Sequence, residues 1–224
     1  MESAPSQRRA YRVIAIDGPA ASGKSSVARE LSRRLGFVYV NSGGIYRAIT
    51  WYVLQREIDP DDFRQIARAL QSVSIICRLC QNESRTLVNS MDPAEHLRDD
   101  QVNRSVSRVS RFALVRQIVA QQLHELAREN DLVVEGRDIG SVVFPDTPYK
   151  FYVDASPSVR LRRRAAQGER DEIMARDHAD SSRAISPLVI AKDAEVIDTS
   201  HLSIEGVVAQ IMARLKEMGL EAQT

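Results

Sequence analysis

Apolar positions along the chain follow two rhythms in turn, period two in short runs and period three to four in longer ones. Val13-Ile-Ala-Ile16 is a β-branched run that predicts a strand; a Gly/Ala/Ser-rich turn follows, then a helical pattern with Val27 and Leu31 on one side. Phe37 to Val40 predicts a second strand, and Ile45 to Glu57 a helix with Ile45, Ile49 and Tyr52 at helical spacing. Pro60 is expected to open another helix, with Phe63, Ile66, Ala67 and Leu70 as its buried stripe. Short strand-like runs, Val73 to Leu79 and Thr86 to Val88, flank the turn-forming Gln81-Asn-Glu-Ser84 and predict a small β insertion. Helical patterns then cover Ala94 to Asn103 and Val109 to Arg128, before buried strands at Leu132 to Val134 and Lys150 to Val153. An arginine-rich helical segment from Ser158 to about Arg183, a strand at Glu195 to Asp198 and a helix from Ser203 to Lys216 complete the pattern. Strands alternating with helices predict an α/β fold, a parallel sheet flanked by helices on both faces.

Composition narrows this only a little. The 224 residues suit one α/β domain with small insertions, and 43% hydrophobic with 27% charged residues is ordinary for a globular protein. Basic and acidic residues, 31 against 30, leave a net charge of +1, so no whole-molecule field recruits nucleic acid or an anionic membrane, and any anion site must be local. Met1 to Tyr11 lacks the apolar core of a signal peptide and no later run approaches a membrane span, so a cytoplasmic protein is expected. Cys77 and Cys80 form a lone C-x-x-C without two further ligands nearby for zinc. In a strand, residues three apart face opposite ways, which resists bridging.

The chemistry starts at Gly18-Pro-Ala-Ala-Ser-Gly-Lys-Ser25, which fits G-x-x-x-x-G-K-[ST] between a predicted strand and a predicted helix. Gly18, Pro19, Ala20, Ala21, Ser22 and Gly23 allow backbone N–H groups to curl around a β-phosphate. Lys24 reaches the β/γ oxygens, Ser25 can hold Mg²⁺, and Ser26 extends the loop into a helix whose N-terminus favours anions. Glu135, at the end of a predicted strand, stands where such a protein places the acid that organises Mg²⁺. ATP with Mg²⁺ is therefore the expected donor.

No Asn-Lys-x-Asp segment is present, which argues against a guanine-nucleotide switch. Arginine is abundant instead: Arg160, Arg162, Arg163 and Arg164, then Arg170, Arg176 and Arg183. An arginine delivered by a closing segment can contribute about 10³ to 10⁵ in phosphoryl-transfer rate, and lid closure keeps water from taking the phosphoryl group. No aromatic platform accompanies these arginines, as single-stranded nucleic acid would need. A solvated helix face is the bland alternative.

Asn41-Ser-Gly-Gly-Ile-Tyr-Arg47, Glu135-Gly-Arg-Asp-Ile-Gly-Ser-Val-Val-Phe-Pro-Asp146, Lys150-Phe-Tyr-Val-Asp-Ala-Ser156 and Arg183-Ala-Ile-Ser-Pro-Leu188, with the Gly18–Ser25 loop, closely resemble bacterial-type cytidylate kinases in order and spacing. The resemblance implies an adenylate-kinase-like P-loop core, a region closing over CMP and a short arginine lid. On that basis residues 1–41 and 131–224 are expected to be the ATP-binding core, with the lid at about 160–183. Residues 42–130 are expected to be the CMP-binding region, including a β insertion at about 73–100. It further implies that Ser42, Arg47 and Arg137 meet the CMP phosphate, that Ser107, Arg116 and Asp138 meet the cytosine, and that Arg176, Asp180 and Arg183 hold ribose and phosphates. Lys24, Arg137, Arg163 and Arg176 are the expected catalytic cations, and Ser25 with Glu135 the expected metal site. Asn41 stands where the family usually has Asp, and Glu135 where it often has Asp. The expected reaction is direct in-line transfer of the ATP γ-phosphate to CMP or dCMP by a monomer with no nucleic-acid or membrane partner. The competing expectations are a P-loop kinase of another small acceptor, such as shikimate or dephospho-coenzyme A, and a non-catalytic nucleotide-binding module.

Overall fold

The computed structural model describes residues 12–166, 173–183 and 185–220, with the side chains of Ile173 and Arg176 left out. Among the described residues seven strands form one sheet. They are β1 (Val13–Asp17), β2 (Val38–Asn41), β3 (Ile75–Cys80), β4 (Glu83–Val88), β5 (Leu132–Glu135), β6 (Tyr149–Asp154) and β7 (Glu195–Asp198), in spatial order β3-β4-β2-β5-β1-β6-β7. Every neighbouring pair is parallel except the β3/β4 hairpin.

Strand alternation sorts side chains to two faces. Val13, Ala15, Val38, Val40, Leu132 and Val134 pack on one side, and Ile14, Ile16, Tyr39, Val133, Phe151 and Val153 on the other. The first face is covered by Ile45, Ile49 and Val53 of α2 (Ser42–Gln55), with Val115, Val119 and Leu123 of α5 (Ala113–Ala127). The second is covered by Val27 and Leu31 of α1 (Lys24–Leu35), with Val208, Ile211 and Leu215 of α8 (Ile204–Glu217). Both faces being dry explains why the strands read as unbroken apolar runs; each fully buried branched side chain contributes about 1.5–3 kcal/mol.

Several boundaries differ from the sequence pattern. The helix expected from Pro60 is α3 (Phe63–Leu70), because Asp62 accepts from Gln65 N at 3.0 Å and caps it there; Phe63 itself is exposed. The helix expected over Ala94–Asn103 is a short 3₁₀ turn at Ala94–His96, then α4 (Asp100–Val109). Val109 continues the buried stripe of Val102 and Val106 instead of opening the next helix. The insertion turn is Gln81-Asn82, both with positive φ, and β4 begins at Glu83. The insertion is not detached: Tyr39 pairs with Glu83, and Tyr39 N donates to Asn82 O at 2.8 Å, extending the sheet. Cys77 is half-buried and Cys80 exposed, both free, opposite Thr86 and Glu83. Among the described residues the arginine-rich segment shows α6 (Pro157–Ala166) and α7 (Ile173–Ser181); Arg170 lies outside the described residues, as does Met1 to Tyr11. Ile139–Val143 forms a π-helical turn that no periodicity announced. No helix among the described residues is long and apolar enough to cross a membrane.

Candidate active site

The carboxyl ends of β1, β2, β5 and β6 converge where the strand order reverses around β1, the place where open parallel sheets bind ligands. From β1 the chain turns through Gly18, whose φ of 146° and close approach to β6 leave no room for a side chain: a Cβ there would sit 2.0 Å from Val153 O. Gly23 is the N-cap of α1, at φ 98°, and among the described residues no side chain caps that helix, whereas Asn41, Asp62 and Ser203 cap α2, α3 and α8. The first amides of α1, which have no intrahelical partner, thus lack a side-chain cap as well, an arrangement suited to an anion.

Lys24 is buried, and its Nζ donates to Pro19 O at 2.5 Å and lies 3.4 Å from Ser22 Oγ. Burial, and secondarily the charge of Arg137, push its pKa down to about 7, while Glu135, Asp177 and Asp17 act in the opposite sense. Ser25 Oγ donates to Glu135 Oε2 at 2.7 Å, Tyr39 OH donates to Glu135 Oε1 at 2.5 Å, and Ser42 Oγ donates to Glu135 O at 2.7 Å. A hydroxyl and a carboxylate held together beside the loop are hard oxygen donors of the kind Mg²⁺ takes when phosphates and water complete its shell. Asn41 Oδ1 accepts from Gly44 N at 3.0 Å and so caps α2.

Across the cleft, Arg116, Arg137 and Arg183 are joined to Asp138 and Asp180 in one cluster. Arg116 Nη2 donates to Asp138 Oδ2 at 2.5 Å and its Nη1 to Ser110 O at 3.0 Å. Arg137 Nε donates to Asp180 Oδ2 at 3.0 Å; Arg183 pairs with the other oxygen of Asp180 and reaches Ser110 Oγ at 3.0 Å. Among these five residues positive charge exceeds negative by one, and the Nε atoms of Arg116 and Arg183 are buried without a hydrogen-bond partner among the described residues. Burial and the neighbouring Arg116 and Arg137 charges lower the Arg183 pKa. Such a cluster is poised to take an anion.

A single cleft of about 820 Å³ joins the two halves. Its wall includes Ala20 to Ser26, Ser42, Arg47, Ser107, Arg116, Glu135, Arg137, Asp138, Arg163, Asp180 and Arg183, so nearly every site residue expected from sequence meets there. Gly18 and Pro19 shape the loop from behind, and the Arg176 side chain lies outside the described residues. Arg163 turns its fork onto the loop: Nη1 donates to Ser22 O at 3.1 Å and Thr199 Oγ1 at 2.9 Å, and Nη2 to Thr199 O at 2.7 Å. Arg160 and Asp177, ion-paired, clasp the Ala20 peptide, Arg160 donating to its carbonyl at 3.1 Å and Asp177 accepting from its N–H at 2.9 Å. Asp177, Thr199, Tyr39 and Asp17 belong to the site although no motif marks them in the sequence. Each acts through a contact with a residue distant in the chain, and the only local signal was strand alternation at Tyr39.

A phosphate-loop strand and helix, a buried lysine, a hydroxyl–carboxylate pair and a facing arginine cluster define the class of P-loop nucleotide-binding phosphotransferases. Comparison with known proteins narrows this. The family of cytidylate kinases matches residues 14–217. The chain is 40% identical over 217 residues to the cytidylate kinase of Mycobacterium leprae (strain Br4923), covering 92% of this chain and 96% of that protein. It is 36% identical over 214 residues to the cytidylate kinase of Clostridium botulinum (strain Loch Maree / Type A3), covering 91% and 97%. It is also 38% identical over 218 residues to the bifunctional pantoate ligase/cytidylate kinase of Synechococcus sp. (strain RCC307), covering 92% of this chain and 43% of that longer protein. The chain belongs to the cytidylate kinase family.

Proposed function

We propose that this chain transfers the γ-phosphate of ATP to CMP or dCMP, giving ADP and CDP or dCDP. The observation that carries the reading is one cleft in which an uncapped helix N-terminus with a buried lysine faces the Arg116–Asp138 and Arg137–Asp180–Arg183 cluster. Two anionic nucleotides can meet there with their phosphates between fixed cations.

In this reading residues 1–41 and 131–224 bind ATP, and residues 42–130, including the β insertion at 73–100, bind the monophosphate. The loop amides hold the β-phosphate, and Lys24 tracks the γ-phosphoryl group as it moves. Arg47, Arg137, Arg176 and Arg183 grip the acceptor phosphate, whose oxygen attacks phosphorus in line, so no side-chain nucleophile is needed. Ser107, Arg116 and Asp138 read the base: a carboxylate accepts from the cytosine amino group, which uracil lacks. Asp180 joins Arg137 to Arg183 and so fixes two forks in one orientation. Ser25 and Glu135 would hold Mg²⁺, which when bound neutralises charge on the donor phosphates. Arg160, Arg163 and Asp177 bind the lid helices to the loop and exclude water from it. The reading extends to a cytoplasmic monomer acting on small nucleotides, in keeping with a net charge of +1.

A coupled assay of ADP release with CMP, dCMP, UMP, AMP, shikimate and dephospho-coenzyme A as acceptors tests this. Release that depends on CMP or dCMP supports it; release confined to another acceptor, or independent of any, rejects it.

A further inference from the structure

Asp17 is the last residue of β1, immediately before the phosphate loop, and it is a buried carboxylate that the mechanism above does not use. Its two oxygens accept from the backbone N–H groups of Ile139 at 2.9 Å and Gly140 at 2.8 Å. Those amides open the π-helical turn Ile139–Val143, whose N-cap is Asp138, and no side chain of the turn itself caps them. The β1–β5 ladder ends one step earlier, at Ile16 opposite Glu135, with Gly136 N donating to Ile16 O at 3.0 Å. Between that bond and the Asp17 carboxylate lie only Arg137 and Asp138, the two residues that point into the acceptor half of the cleft. The segment is thus pinned at both ends to consecutive residues of β1, by a backbone carbonyl on one side and a carboxylate on the other.

The choice of residue matters. A carboxylate offers two acceptors, matching two amides that would otherwise be orphaned in a dry site. An asparagine offers one acceptor and sets its NH₂ against the second amide. Gly18, next in the chain, is fixed by its packing on Val153 O, so Asp17 has little freedom to follow a displaced turn. Burial raises its pKa to about 6, with the two backbone bonds opposing the rise, so the acceptor form required by the geometry prevails at neutral pH.

We propose that Asp17 is a positioning residue that couples the donor loop to Asp138 and thereby sets the preference for cytosine over uracil in the acceptor. The inference rests on the reading of Asp138 as the base-reading carboxylate. It adds a specificity determinant that touches neither nucleotide.

The test compares wild type, Asp17→Asn, Asp138→Asn and the double variant, with kcat and KM for CMP and UMP at saturating ATP, KM for ATP at saturating CMP, and Tm. In Asp17→Asn the CMP-over-UMP preference in kcat/KM is expected to fall about tenfold, chiefly through KM for CMP, with KM for ATP within about twofold. In the Asp138→Asn background the same change is expected to leave the preference unaltered, because the residue it acts through is already gone. A purely structural role would lower Tm or kcat for both acceptors alike, and an unchanged preference in Asp17→Asn overturns the inference. So does an equal further fall in the double variant. Wild-type protein that ignores CMP refutes the proposed function itself, an outcome distinct from an active, selective wild type whose Asp17→Asn variant stays equally selective. Should Asp17→Asn not fold, Asp17→Glu keeps the charge but displaces it by a methylene and is expected to show the same loss. Should neither fold, amide exchange in the wild-type chain decides. The Ile139 and Gly140 amides are expected to slow about threefold on adding an unhydrolysable ATP analogue without CMP, and unchanged exchange overturns the coupling.

Discussion

Lys24 carries a proton-linkage prediction that follows from its surroundings. Its Nζ is buried against a carbonyl and a hydroxyl, Pro19 O and Ser22 Oγ, with no carboxylate bonded to it among the described residues, and its pKa falls to about 7. Without a nucleotide beside it the lysine is therefore about 0.9 protonated at pH 6, about half at pH 7 and about 0.1 at pH 8. Triphosphate oxygens beside the ammonium restore a pKa near or above the ordinary value of 10.5, so the bound form is fully protonated. ATP binding is then expected to take up about 0.1 proton at pH 6, about 0.5 at pH 7 and about 0.9 at pH 8. Intrinsic affinity for ATP falls by about fivefold between pH 7 and pH 8 on the same grounds. Isothermal calorimetry in buffers of different ionisation enthalpy measures the proton number directly. The phosphate's own second ionisation, near pH 6, acts in the opposite sense and fades as pH rises. An uptake that stays flat or declines from pH 6.5 to pH 8 would refute the reasoning. The contribution of Lys24 to folding stability has a definite sign too. A depressed lysine pKa leaves the unfolded chain binding the extra proton, so the penalty is full below about pH 7 and is relieved as pH rises towards 10.5.

Asp138→Ala removes the partner of a buried guanidinium, and leaving Arg116 unpaired is expected to cost about 2–3 kcal/mol, below the usual range for buried pairs because the cleft admits water. Thermal unfolding should drop by about 5–10 °C, and the preference for CMP over UMP should collapse; retained selectivity rejects the base contact. Glu135→Gln keeps the bond from Ser25 but loses the charge, so the free Mg²⁺ needed for half-maximal rate should rise about tenfold, and an unchanged Mg²⁺ profile contradicts the metal assignment. Gly18→Ala drives a methyl into Val153 O, and a loss of at least about 3 kcal/mol with weakened ATP binding is expected; a normal melting curve would show that the loop does not need the glycine.

The sheet was legible because both its faces are covered, so strands such as Ile14 to Ile16 and Leu132 to Val134 are apolar without interruption. The loop was legible because Gly18, Gly23 and Lys24 act through fixed spacing within one turn of backbone. Most of the acceptor residues came from the resemblance, since nothing in the local pattern of Arg116 or Asp180 says that they converge with Asp138 and Arg137. Boundaries failed where tertiary contacts decide them. Asp62 caps α3 two residues after Pro60, and Val109 extends the stripe of α4. The π-helical turn escaped because its stabilising acceptors are on Asp17, some 120 residues earlier in the chain. The Arg160–Asp177 clasp on Ala20 escaped for the same reason: a charge run shows that cations are present, and only the fold shows which backbone group each one meets.

The central claim is that one cleft carries phosphate from a loop-bound triphosphate to a cytidine monophosphate held by the facing arginines. Incubating the chain with Mg²⁺, CMP and ATP labelled in the γ-phosphate, then separating the nucleotides, tests it most directly. The account predicts label in CDP with the wild type and nearly none with Lys24→Met, a loss of about 10³-fold. Label that stays in ATP, or is released only as inorganic phosphate, would contradict it.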